Sequence, residues 1–155
     1  LARKSQSSYS NKLLLDTSYL LPFVGIEVLG VKEEICSEIL KRELYYPSSL
    51  IPELSGVIIK EAKKNGLDEV PEEVINAFNT IVFGKDVHII LSEGIDLKIA
   101  YELIKLGWRD LFDALLYATA MRIEMQVLSL DKQFKGFLKD HGYNYELFVS
   151  HKELF

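Results

Sequence analysis

A chain with one cysteine cannot close a disulfide within itself, and Cys36 is the only cysteine here. That suits a reducing compartment, so the expected location is cytoplasmic. Cys36 falls in an amphipathic pattern and reads as a small core residue. The three histidines, His88, His141 and His151, are scattered and none has an H-E-x-x-H neighbour, so a zinc site is not expected. His88 lies in an apparent strand and reads as a core or edge residue. Neither G-x-G-x-x-G nor G-x-x-x-x-G-K-[ST] is present, which removes the usual dinucleotide and triphosphate cradles. A G-x-S-x-G nucleophile elbow is missing too. No apolar run approaches the roughly 18 residues of a membrane helix. Positive charge is also in deficit: 18 Lys and Arg stand against 23 Asp and Glu, a net charge of −5. A broad basic surface for gripping nucleic acid is therefore not expected, although bound divalent ions would relax that demand.

What is present is a globular composition, 48% hydrophobic and 26% charged, in 155 residues, enough for one core. The start, LARKSQSSYSNK, is polar and serine-rich, with no apolar stretch of the signal-peptide kind. Residues 1–11 read as a flexible tail and 12–155 as a single domain. Apolar KLLL at Lys12–Leu15 predicts a buried strand. Helical spacing predicts a helix over 31–44. Pro47 argues against a regular central strand at 45–49, and a short strand is expected near 48–51. Helices are expected over 52–65, 71–83, 95–106, 110–123 and 131–139. Strands are expected at 87–91, 127–130 and 145–149. Strands alternating with helices predict an α/β fold, a mostly parallel sheet covered on both faces.

With thiols, imidazoles and glycine loops set aside, carboxylates remain. Asp16 ends the first strand and Asp131 follows the strand at 127–130, and ligands of parallel sheets bind outside the carboxyl ends of strands. Asp113 sits in DLFDALLYATAMRI, apolar around nearly its whole circumference, so that helix is expected to be buried. A carboxylate there needs a partner, and the positions one turn on are Leu116 and Tyr117. Glu53 opens a helix and faces away from its Leu54–Ile58–Ala62 stripe. Each acid also has a plainer explanation. Asp16 and Asp131 have the placement of helix N-caps, Asp110 and Asp113 the spacing of a capping pair, and Glu53 that of an ordinary first-turn acid. Taken together, the four would form a hard-oxygen site for Mg2+ or Mn2+, able to activate water for attack on a phosphodiester.

The same residues resemble a family. LLLDTSYLLP is similar to the first motif of PIN-domain ribonucleases, with Asp16 and Ser18. YPSSLIPELSGVI resembles the second, with Glu53. DALLYATAM resembles the third, with Asp113, and VLSLDKQF the fourth, with Ser129, Asp131 and Phe134. The motifs keep their order across residues 12–149. The resemblance implies a PIN-like three-layer α/β/α sandwich and a Mg2+- or Mn2+-dependent endoribonuclease acting on RNA. It further implies a homodimer and, for VapC-like toxins, a partner antitoxin. Asp16, Glu53 and Asp113 would hold the metal, Asp131 would assist, and Ser18 and Ser129 would support them. Asp110 is a possible additional acid. The alternative is a weakly active or inactive PIN scaffold that binds RNA or protein. A phosphatase of the haloacid-dehalogenase type would want D-x-D where this chain has Asp16-Thr17-Ser18, and a phospho-receiver would want an acidic pair there.

Overall fold

The computed structural model describes residues 11–155. Its centre is a sheet of five parallel strands: β1 (Lys12–Leu15), β2 (Glu43–Pro47), β3 (Val87–Ile90), β4 (Val127–Leu128) and β5 (Phe148–Val149), in the order β3-β2-β1-β4-β5. Helices α1 (Glu33–Ile39), α2 (Ile51–Lys64), α3 (Glu72–Phe83), α4 (Gly94–Lys105), α5 (Leu111–Ile123), α6 (Lys132–Asp140) and α7 (His151–Leu154) flank it, giving the α/β/α arrangement. Leu13, Leu14 and Leu15 are all fully buried, so β1 has no wet face. This is why its sequence is a continuous apolar run rather than an alternation. No described helix is long and apolar enough to cross a membrane. The expected tail at 1–11 lies outside the described residues except for Asn11, whose carbonyl accepts from Glu43 N at 2.9 Å and so already joins the sheet.

The strand order matters for function. From β1 the chain steps to β2 and β3 on one side, then returns to lay β4 and β5 on the other. The direction reverses between β1 and β4, and the crevice at the carboxyl ends of such a pair is where open parallel sheets bind ligands. Asp16 N donates to Leu128 O at 3.0 Å, so the loops leaving β1 and β4 start side by side.

Three expectations are corrected. The second strand is at Glu43–Pro47, not 48–51, and it is central, between β1 and β3. Pro47 does not prevent this, because it occupies the last position, past the residues that pair with β1. Residues Ser48–Leu50 form a 3₁₀ turn instead. The helix expected over 31–44 covers only Glu33–Ile39. Its second half is drawn into β2, where Leu44 and Tyr46 become almost fully buried, and that burial outweighs a weak helical preference. The last strand is shorter than 145–149, because Asn144 caps a 3₁₀ turn at Tyr145–Leu147. Cys36 is half-buried against the core, and His88 is exposed on the edge strand β3, stacked on Tyr45.

Candidate acidic site

Asp16 is fixed by both strands of the crevice. Its backbone continues the β1–β4 ladder, and its Oδ2 accepts a hydrogen bond from Ser129 Oγ at 2.8 Å. Although it precedes the 3₁₀ turn Thr17–Tyr19, its side chain does not cap that turn, so the capping explanation fails for Asp16. Ser129 Oγ also accepts from Asp131 N at 3.1 Å, a side-chain turn that ends β4 two residues short of the expected 127–130. One hydroxyl therefore ties the acid after β1 to the loop after β4.

Asp131 does act as a cap: its Oδ1 accepts from Phe134 N at 2.9 Å and starts α6. Asp110 caps α5, accepting from Phe112 N at 2.8 Å and Asp113 N at 3.3 Å, and its side chain is exposed. Asp113 is left half-buried in the first turn of α5, where its Oδ2 accepts from Trp108 Nε1 at 3.1 Å. Trp108 in turn packs its ring against Phe134 and Phe137 of α6, with centroids 4.9 and 5.0 Å away. Glu53 is half-buried in the first turn of α2. It is brought to β1 by Tyr46, whose hydroxyl meets Thr17 Oγ1 at 2.7 Å and donates to Leu50 O at 2.8 Å, pinning the turn before α2 to the turn after β1.

Burial and mutual repulsion act together on these acids. Burial, more than any other cause, raises Asp113 from 3.8 to about 8, and the charges of Asp110, Asp16 and Asp131 push the same way against the Trp108 hydrogen bond. Asp16 rises from 3.8 to about 6, again mainly by burial, with Glu53 and Asp131 adding repulsion and the Ser129 bond opposing it. Glu53 is raised by burial and by Asp110, with Thr17 offsetting part of the rise. Among the described residues, no lysine or arginine forms an ion pair with any of the four. Nor are any three Asp, Glu, His or Cys side chains gathered tightly enough to enclose an ion by themselves.

Ser18 does not bond to any of these acids; its Oγ is buried without a protein partner, as is that of Ser49. The motif spacing does not reveal Trp108, Thr17 or Tyr46. The one usable signal is that the chain's only tryptophan stands five residues before Asp113. No family model matches the chain, and no curated protein shows significant similarity to its sequence.

Proposed function

We propose that this chain is a metal-dependent endoribonuclease of the PIN type, with Asp16 and Asp113 as the acids that hold Mg2+ or Mn2+ directly and Glu53 and Asp131 acting through bound water. The observation that carries this reading is Asp113: its carboxyl is pushed up to about 8 by burial and by three neighbouring acids, with an indole N–H as its one hydrogen-bond donor among the described residues. Repulsion of that kind is relieved by a cation. Magnesium takes only one or two carboxylates directly and keeps several waters. Among the described residues no three such side chains are gathered to hold an ion, so the identity of the ion rests on the hard-oxygen chemistry of the acids alone.

When bound, the ion supplies Lewis acidity toward a phosphodiester and a water of lowered pKa. The protein's share is positioning. Ser129 fixes which oxygen of Asp16 faces its own loop, and Trp108 does the same for Asp113. The Thr17–Tyr46–Leu50 chain of hydrogen bonds keeps Glu53 beside β1. Such supporting bonds typically change metal affinity or activity by about 10- to 100-fold when removed.

A second reading, a PIN scaffold that binds RNA or protein without cleaving, draws support from Asp131 and Asp110, whose side chains already serve as caps. The deciding experiment is cleavage of a mixed single-stranded and structured RNA pool by purified protein in Mn2+ or in EDTA, beside Asp113→Asn. Cleavage in Mn2+ that vanishes in EDTA and in the variant is the expected outcome. A folded, Mn2+-binding protein that cuts nothing favours the scaffold.

A further inference from the structure

Next to the acids is a cavity of a different character. It measures about 100 Å³, lies at the carboxyl ends of β4 and β5, and shares Ser129 and Asp131 with the site above. Its other charged walls are Lys132 and Lys135 from α6 and Lys152 and Glu153 from α7. Lys135 Nζ is 3.6 Å from Glu153 Oε1, a loose pair, while Lys132 and Lys152 are exposed and make no ion pair among the described residues. Three lysines thus face two carboxylates, in a chain whose net charge is −5. The contrast with the apolar cleft between α2 and α3 is plain: that cleft is bordered by Glu61 and Glu73 and lined by Phe23, Ile58 and Val74, with no cation.

The back of the cavity holds His151, only 7% exposed. Tyr19 OH accepts from His151 N at 3.2 Å; the hydroxyl is fully buried, and the acceptor left for its proton among the described residues is His151 Nδ1, 2.8 Å away. That bond fixes the tautomer and leaves the ring proton on Nε2. Burial, and the charge of Lys152 beside it, lower the pKa of His151 from the ordinary histidine value. Nε2 has no hydrogen-bond partner among the described residues, and His151 lines this cavity. A buried imidazole held by its far nitrogen, with its N–H free and lysines around it, is arranged to donate to an anion.

We infer that this cavity is a phosphate subsite: His151 Nε2–H, Lys132 and Lys152 receive a backbone phosphate of the RNA strand next to the one at the acids. The inference rests on the ribonuclease reading, because it is Ser129 and Asp131, shared by both sites, that make a neighbouring phosphate of one strand the natural occupant. A phosphate in this cavity would set which way the strand runs across the crevice. Three lysines here would supply the phosphate contact that the acids cannot.

Binding, rather than cleavage, tests it. In an Asp16→Asn/Asp113→Asn background without metal, which removes two repelling charges and any cleavage, the affinity for a fluorescein-labelled single-stranded RNA is measured by anisotropy across salt concentrations. Adding Lys132→Ala and Lys152→Ala is expected to weaken binding at least tenfold and to flatten the log–log salt dependence by roughly 0.7 per lost phosphate contact. Separately, inorganic phosphate titrated into the unaltered protein with 15N-labelled histidine is expected to shift His151 Nε2 saturably and to leave the exposed His88 and His141 unmoved. Unchanged RNA affinity and slope in the lysine variant overturn the inference, and do so even if the protein cleaves RNA. A His151 shift with phosphate but no effect of the lysines on RNA also overturns it, and identifies a free oxyanion as the ligand. Lysine-dependent RNA binding by a protein that cuts no RNA leaves the subsite standing while the nuclease reading falls.

Discussion

Two buried carboxylate regions lie at the carboxyl edge of this sheet and are treated in opposite ways. In the first, Asp96 at the start of α4 is only 1% exposed. Arg122 of α5 grips it with Nε to Oδ1 at 2.8 Å and Nη2 to Oδ2 at 3.1 Å, while Glu93 N donates to it at 3.0 Å. The same guanidinium reaches Leu91 O at 2.9 Å and Glu93 at 3.1 Å, fastening α4 to α5. In the second region, Asp16 and Asp113 are less deeply placed but have no cation of their own, and both are pushed well above the ordinary carboxylate range. A structural acid is given a partner by the fold. Acids left to repel one another cost stability, and a cation from solution is the partner that would relieve them.

This contrast can be broken first at activity. Asp16→Ala or Asp113→Asn is expected to reduce Mn2+-dependent RNA cleavage by more than about 100-fold, beyond the range typical of supporting residues. Single-turnover cleavage measures it; a loss below tenfold would remove those acids from the chemistry. On the paired side the effect is on stability. Arg122→Ala strands the Asp96 charge and is expected to cost about 3–5 kcal/mol, read by urea unfolding, because removing one partner of a buried pair leaves the other uncompensated. A change under 1 kcal/mol would mean that Asp96 is solvated in the variant and that the clamp is ornamental.

Next in size comes Trp108→Phe. It keeps the packing on α6 and removes only the donor to Asp113, so activity or metal affinity is expected to fall about tenfold with little loss of stability. A fall in stability with metal affinity intact would instead assign Trp108 to packing alone. A further effect is on metal-free stability against pH. Asp113 binds its proton more tightly folded, at about 8, than unfolded, near 3.8, so its contribution to stability is fully present below about pH 4 and is lost as pH rises to about 8. Asp16 adds the same trend between about pH 4 and 6. Without metal, Asp113→Asn is therefore expected to be more stable than the parent at pH 8 and about equal to it near pH 4. The opposite order at pH 8 would contradict a repelling cluster.

Much of this was legible in the sequence, for identifiable reasons. The parallel sheet is evident in Leu13–Leu14–Leu15, since a strand covered on both faces must be apolar throughout. Helices α2 to α6 announce themselves through periodicity and their stops, as when Gly66 takes a left-handed conformation and Leu67 N bonds back to Ala62 O. The stretch 31–47 misleads because its helical spacing is real but local. Only the neighbours β1 and β3 make a strand of Glu43–Pro47, and a single sequence does not contain that pairing. The acids are legible as residues that end strands or open helices, and the strand order sets Asp16 beside the loop that carries Asp131. What spacing does not convey is support across the fold: Trp108 to Asp113, Ser129 to Asp16, and Tyr19 to His151 over 132 residues.

The chain's single tryptophan, bonded to Asp113, offers the most direct test. Titrating Mn2+ into metal-free protein while following Trp108 fluorescence is expected to give saturable quenching. Binding should tighten between pH 6 and 8 as Asp113 loses its proton, and Asp113→Asn should abolish it while Asp96→Asn, in protein that remains folded, does not. No saturable quenching at any pH, or quenching that Asp113→Asn leaves unchanged, would contradict the claim that the unpaired acids of the β1–β4 crevice are a cation site.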